Sequence, residues 1–448
     1  MSAPPELWGG HECTVNRVGD RWRDQTVLSG HQDRIADLDA FASLGLKGLR
    51  YPVLWERVEI EPERFDWGWT DARMDRIRDL GLRPIVGLLH HGSGPAWTDL
   101  LDPGFASGLA AFARQAAERY SWVKDWTPVN EPLTTARFSA LYGHWHPHRR
   151  DEAAFWTALL NQIEATRLAV AAIRETIPDA RLVQTEDFGH TWSTPACSGQ
   201  AAFDNDRRLM TWDLLTGRVV EGHPLRKRLD AFGLSSRLDA LAVDPCPPDL
   251  IGLNHYVTSD RFLDDRLERY PARVHGGNGR IAYADVEAVR VLHRQPPSWA
   301  RCLQDLWDRY RLPLAITECH LGCSPDEQRR WLASAWSAAL SARSTGVAVE
   351  AVTVWALLGS YDWDSLLTRE NGRYEAGVFD LSGGTPRPTA LARTVRRLAR
   401  GDPLSGPDLG PGWWEADTRL EYPPCHPGVA AASPHVPADI SSASPPSP

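Results

Sequence analysis

Short apolar runs recur along the chain between longer amphipathic stretches, and this alternation predicts β-strands buried on both faces separated by helices. The runs are Leu7-Trp8, Gly48 to Tyr51, Pro84 to Leu89, Trp126 to Val129, Arg181 to Gln184, Leu250 to Leu253, Leu314 to Thr317 and Ala351 to Trp355. Between them the apolar spacing turns helical. Ile35, Leu38, Phe41 and Leu44 precede Gly45, and Met74, Ile77 and Leu80 precede Gly81, each glycine marking a stop. Further helices are predicted near 105–121, 152–176, 205–231, 297–310, 325–345 and 387–399. Eight strands alternating with helices predict an α/β protein, a closed (β/α)8 TIM barrel, although an open doubly wound sheet fits the pattern alone.

Composition adds boundaries and exclusions. Past about Arg400 the chain turns to Pro, Gly, Ser and Ala, which bury too little apolar surface to stay ordered. Residues 1–400 are therefore read as one barrel domain and 401–448 as a partly disordered tail, with docking of Trp413 and Trp414 left open. The net charge of -9 is spread out, and without a Lys/Arg stripe nucleic acid is not an expected partner. Neither a leader peptide nor a membrane-crossing stretch is recognisable, which predicts a cytoplasmic protein with no membrane partner. Seven scattered cysteines without paired zinc-type spacing fit a reducing compartment. The 20 tryptophans suit the flat faces of sugar rings, although core packing is their commoner use.

In a barrel the chemistry gathers where strands end at the C-terminal face. The polar residues following the apolar runs are Arg50, His90 and His91, Asn130 and Glu131, Glu186 and Asp187, Asn254 and Tyr256, Glu318, then Trp355 with Asp362. Glu131 and Glu318, from the fourth and seventh strands, would face each other across the mouth. Retaining hydrolysis of a glycosidic bond needs a carboxylic acid to protonate the leaving oxygen and a carboxylate to attack the anomeric carbon, about 5–5.5 Å apart. Glu131 suits the acid/base role and Glu318 the nucleophile. Arg50 and Tyr256 would keep Glu318 ionised, and its negative charge would raise the pKa of Glu131.

At these positions the chain resembles the family 1 glycoside hydrolases, retaining β-glycosidases with glutamates on strands 4 and 7. The likeness spans about Trp8 to Arg396. Trp126-Thr-Pro-Val-Asn-Glu-Pro132 resembles the acid/base motif and Ile316-Thr-Glu-Cys319 the nucleophile motif. Val354-Trp-Ala-Leu-Leu-Gly-Ser-Tyr-Asp-Trp363 is similar to the strand 8 motif that shapes the sugar pocket, and Tyr374 to Asp380 to the segment after it. Leu49 to Glu56, Leu89 to Gly92 and Ile251 to Tyr256 resemble the signatures of strands 2, 3 and 6. The resemblance implies that Asn130, His91, Trp355 and Asp362 hold the sugar, with Asn254 and Trp363 as further contacts. Counting from Trp8 places Asn16 where the family carries a Gln, and Asp362 stands for a Glu that grips sugar hydroxyls. Gly359-Ser360 and Cys319 are further departures, as is a shortened stretch after strand 1. A divergent member is implied, with its own sugar preference.

The implied activity is hydrolysis of a small β-linked glycoside from its non-reducing end, with no metal and no organic cofactor. Oligomeric state is left open. Two alternatives stand beside it: transfer of the glycosyl group to an acceptor other than water, and sugar binding at a decayed site. His144, His146 and His148 lack a carboxylate or cysteine that would complete a metal set, and fit a loop at the pocket mouth. Glu186-Asp187 either contacts substrate or caps the next segment, and Glu12 is an exposed loop carboxylate without an assigned purpose.

Overall fold

Eight parallel strands close into a barrel in a computed structural model that describes residues 4–294, 298–402 and 409–426. They are β1 (Glu6–Gly10), β2 (Gly48–Pro52), β3 (Arg83–Gly87), β4 (Asp125–Thr127), β5 (Arg181–Asp187), β6 (Leu250–Asn254), β7 (Leu314–Cys319) and β8 (Val349–Val354). Closure is direct, because Glu6 to Gly9 of β1 register in parallel against Ala351 to Val354 of β8. Every predicted apolar run falls on one of these strands. The open doubly wound alternative is excluded.

Burial on both faces explains why the strands read as continuous apolar runs. Inside the barrel, Trp8, Ile85, Val183 and Ala315 come one each from β1, β3, β5 and β7 and pack with Leu250 and Ala351. Contributions from alternate strands are what a filled barrel interior requires. Gly48 makes room for this layer, since a Cβ there would fall 2.8 Å from Trp8 Cδ1.

Helices cover the outside, among them Phe105–Arg119, Glu152–Thr176, Ser298–Tyr310 and Pro325–Ser344, close to the predicted ranges. Three departures have local causes. The helix expected over 205–231 is broken into Ser198–Arg208, Met210–Leu215 and Arg226–Asp230, interrupted where Gly217 and Gly222 take positive φ and Pro224 follows. The helix before Gly45 is only Asp37–Ala42, and Ile35 lies outside it, exposed. The last barrel helix starts at Ala390, because Arg387–Pro388 pairs with Phe379–Asp380 as a short hairpin.

Two additions shape the C-terminal mouth. A hairpin, Val15–Val18 with Arg21–Asp24, follows β1. A four-stranded sheet (Thr191–Ser193, Arg261–Asp264, Ala282–Glu287, His275–Gly277) grows from the connections after β5 and β6. Residues 409–426 do pack on the barrel: the buried Trp414 ring meets Trp331 edge-on at 5.0 Å, and Arg290 lies 4.2 Å over the Trp413 ring. The remaining stretches of the expected tail, 403–408 and 427–448, lie outside the described residues. Among the described residues no helix is long and apolar enough to cross a membrane.

Candidate active site

A cavity of about 940 Å³ opens at the end of the barrel where the strands run out, a size in the range that takes small organic ligands. Its lining includes Glu131 and Glu318 together with Glu12, His91, Tyr256, Trp355 and Trp363. Both predicted carboxylates thus face one space. They arrive there by different local routes.

Glu318 belongs to β7, where the extended backbone and its neighbours β6 and β8 fix its direction. Arg50 Nη1 donates to its Oε1 at 2.8 Å and the Tyr256 hydroxyl donates to its Oε2 at 2.5 Å, as the spacing after β2 and β6 predicts. The rest of the Arg50 guanidinium is also used. Nη1 reaches the Thr317 carbonyl, Nη2 holds Asn130 Oδ1 at 2.7 Å, and the group lies 4.8 Å over the Trp355 ring. A charged pair this buried keeps its place only when every donor is matched.

Glu131 follows β4 in a left-handed backbone conformation, φ 48°, just before Pro132 opens the short helix Pro132–Ala136. Such a conformation costs on the order of 1–3 kcal/mol and persists only where surroundings over-determine it. Glu186 supplies part of that hold. Buried at the end of β5, it accepts the Leu133 and Thr134 amides and the Thr134 and Thr211 hydroxyls, so it caps the helix that begins beside Glu131. Of its two expected roles the capping one is what the geometry displays. Burial pushes the Glu186 carboxyl up to about 7.

The two facing carboxyls differ in electrostatics. Burial, then Glu318, Glu186 and Asp187, raise the pKa of Glu131 well above the ordinary range, and only the Asn254 amide pulls against them. Glu318 is raised by burial too, but Arg50 and Tyr256 oppose that. The pair's proton therefore rests on Glu131, while Glu318 carries the charge. His91 Nε2 lies 3.7 Å from Glu131 Oε2, and Nδ1 is 3.0 Å from the Thr135 hydroxyl. Burial and Arg50 push the His91 pKa down to about 3, so the ring is neutral.

Of the other predicted contacts, Trp355 and Trp363 line the cavity, the latter 5.6 Å from His91. Trp355 stacks on His90, and Gly10 is the residue that lets it sit there, since a Cβ at Gly10 would fall 2.1 Å from its ring. Arg50, Asn130 and Asn254 form a layer behind the lining. Asn130 is expected to hold a sugar, yet its Oδ1 is taken by Arg50 and the Thr185 hydroxyl and its Nδ2 faces His90. Asn254 likewise sits between Glu131 and Thr317.

Two expected sugar contacts have other surroundings in this structure. Asp362 does not line the cavity: its Oδ2 is 2.5 Å from Arg23 Nη2 and its Oδ1 accepts the Arg373 amide. The hairpin after β1 delivers Arg23 to it, so the carboxylate is consumed by an ion pair. Asn16 is on the same hairpin, opposite Arg23 and fully buried; it is not among the residues lining the cavity, and neither its Oδ1 nor its Nδ2 has a hydrogen-bond partner. The residue just after β1 that does reach the cavity is Glu12, buried rather than exposed. A signal for it was present, since Glu12 follows the first apolar run just as the other lining residues follow theirs. Counting from Trp8 to a family position selects Asn16 instead, because it assumes a loop of ordinary length.

His144 lines the outer cavity, as expected of a mouth loop, and the described residues contain no group of three side chains arranged to hold a metal ion.

Comparison with known proteins agrees with this architecture. The model of glycosyl hydrolase family 1 matches residues 11–374. A 6-phospho-beta-glucosidase of Dickeya chrysanthemi is 26% identical over 338 residues, 71% of each chain. A phospho-cellobiase of Klebsiella oxytoca is 24% identical over 339 residues, 69% of each chain. Among solved structures, beta-glucosidase from Thermotoga maritima in complex with a substituted glucoimidazole superimposes with a TM-score of 0.72 at 18% identity, covering 90% of this chain and 99% of that one.

Proposed function

Because the chain belongs to glycosyl hydrolase family 1 and is a glycoside hydrolase, we propose that it cleaves a small β-linked glycoside from the non-reducing end by double displacement, with Glu131 as acid/base and Glu318 as nucleophile. The observation that carries this reading is the unequal pair facing one cavity. Glu318 has a guanidinium and a phenol that favour its charged form, whereas Glu131 has acid neighbours that favour its proton.

In the first step Glu318 attacks the anomeric carbon as Glu131 protonates the departing oxygen, leaving a glycosyl ester on Glu318. Forming the ester removes the negative charge of Glu318, so Glu131 loses the neighbour that raised its pKa. Glu131 is then the base that draws a proton from water as the water attacks the anomeric carbon and Glu318 departs as its carboxylate. Neutral His91 beside Glu131 leaves the proton with the carboxyl, and the indole faces of Trp355 and Trp363 offer flat platforms to the sugar. Arg50, Asn130 and Asn254 act as positioning residues behind the lining.

Incubation with an activated 2-fluoro sugar followed by peptide mass mapping tests the assignment. The expected label is on the peptide carrying Glu318. Turnover of substrate with the label on any other residue would overturn it.

A further inference from the structure

The floor of the cavity holds a carboxyl that the double displacement does not use. Glu12 lies just beyond β1, is only 4% exposed, and lines the same space as Glu131 and Glu318. Its Oε1 accepts the Thr14 amide at 2.9 Å, and the Thr14 and Trp355 side chains beside it favour its charged form. Among the described residues no arginine or lysine pairs with it. Arg50 is the cation of this floor, and its donors are committed to Glu318, the Thr317 carbonyl and Asn130. Of the three carboxyls lining this space, only Glu318 is paired with the guanidinium.

We propose that Glu12 reads hydroxyl groups of the glycone and makes this pocket selective for a neutral sugar ring over one bearing a phosphate or carboxylate. The inference rests on the reading of the cavity floor as the sugar site. A buried acceptor with lone pairs to spare is satisfied by donors brought into the cavity, and hydroxyl groups are such donors. A phosphate offers acceptors and adds negative charge beside Glu12, Glu131 and Glu318, where repulsion is poorly screened.

Cations do line the cavity, but on other walls. Arg261, Arg273 and Arg290 belong to the segment carrying the accessory sheet, between β6 and β7, and Arg208 to the β5–β6 connection. In the barrel order β5 lies across from β1, the strand that presents Glu12. Two are already engaged, Arg261 with Asp285 at 2.8 Å and Arg290 with Glu287 at 3.3 Å, whereas Arg208 lies 3.6 Å from Asp187 with no hydrogen-bond partner for its Nη1. Arg137, after β4, lies over the Phe138 and Tyr142 rings. The titratable groups that interact with Glu12 are Glu318, Cys13 and Tyr256, while Glu131, neutral His91 and the His320–Glu375 pair line the same cavity. Its carboxyl is raised by burial and by Glu318.

The test uses the full chain, the best nitrophenyl β-glycoside found in a screen of neutral sugars, and the 6-phosphate of that compound. Wild type is expected to show a kcat/KM at least tenfold higher for the neutral glycoside. Glu12→Gln is expected to narrow that ratio by tenfold or more, and to move the acid limb of the pH profile to lower pH as Glu318 loses a like-charged neighbour. A merely structural role would not move that limb. Wild-type preference for the 6-phosphate overturns the proposal, as does a folded Glu12→Gln with an unchanged ratio. Should the variant not fold, the wild-type ratio decides. Labelling of Glu318 by the fluoro sugar, run on the same sample, separates this outcome from failure of the mechanism itself: label with the wrong ratio sinks only the role of Glu12.

Discussion

Asn254 donates through Nδ2 to Glu131 Oε1 at 2.5 Å, and its amide has no freedom to turn, because the Thr317 hydroxyl donates to its Oδ1 at 2.7 Å. The residue before Glu318 thereby orients the one contact that opposes the raised proton affinity of Glu131. Asn254→Ala removes the one hydrogen bond that pulls the Glu131 pKa down. The basic limb of kcat/KM should move to higher pH, since Glu131 must be protonated in the first step. A pH profile against wild type checks this, and a limb moving to lower pH would contradict it.

Glu131→Gln is expected to slow hydrolysis most for poor leaving groups, by about 10²–10⁴-fold, because those substrates depend on proton donation. Activated aryl glycosides should lose much less in formation of the glycosyl-enzyme. A leaving-group series in the variant measures the difference. Uniform loss across the series would argue that Glu131 is not the proton donor.

Arg50→Met should cost about 10²-fold or more in kcat/KM and raise the acid limb, because Glu318 loses its guanidinium and ionises at higher pH. Arg50→Lys keeps a charge without the planar fork that spans Glu318 and Asn130, and should recover only part of the loss. Steady-state kinetics of both variants across pH provide the comparison.

Breaking the buried pair between Arg23 and Asp362 tests stability rather than chemistry. Arg23→Met strands the Asp362 carboxylate and should destabilise the fold by about 3–5 kcal/mol. Urea unfolding at neutral pH gives the number. A loss below about 1 kcal/mol would mean that the pair is not formed as described.

Glu56 predicts a pH dependence of stability. Neither of its enclosed carboxyl oxygens has a hydrogen-bond partner on another residue, and burial pushes its pKa up to about 8 from 4.5. The folded state then binds a proton that the unfolded state releases, so stability falls as pH rises from about 4.5 to about 8. Glu56→Gln should therefore gain on wild type across that window, by roughly 3–5 kcal/mol at its upper end. Unfolding at pH 5 and pH 8 checks the sign. Equal differences at both values would exclude it.

By itself the sequence determined the barrel and the residues at most of its strand ends. Runs buried on both faces carry a local signature, and a side chain at the end of such a run is aimed by the strand itself. Glu318 and Arg50 were legible for that reason; Glu131 and Tyr256 were legible because each follows its strand closely, although Glu131 also depends on Glu186 to hold the turn it sits in. Tertiary structure alone decided which polar groups were left for a ligand. Arg23, distant in sequence from Asp362, occupies that carboxylate, and the route of the chain after β1 puts Glu12 rather than Asn16 among the residues lining the cavity. Glu186 became a helix cap because its strand brought it under the Leu133 and Thr134 amides. Buried polar groups take whichever partner comes within hydrogen-bond distance, and that depends on how loops are routed, which no local pattern records.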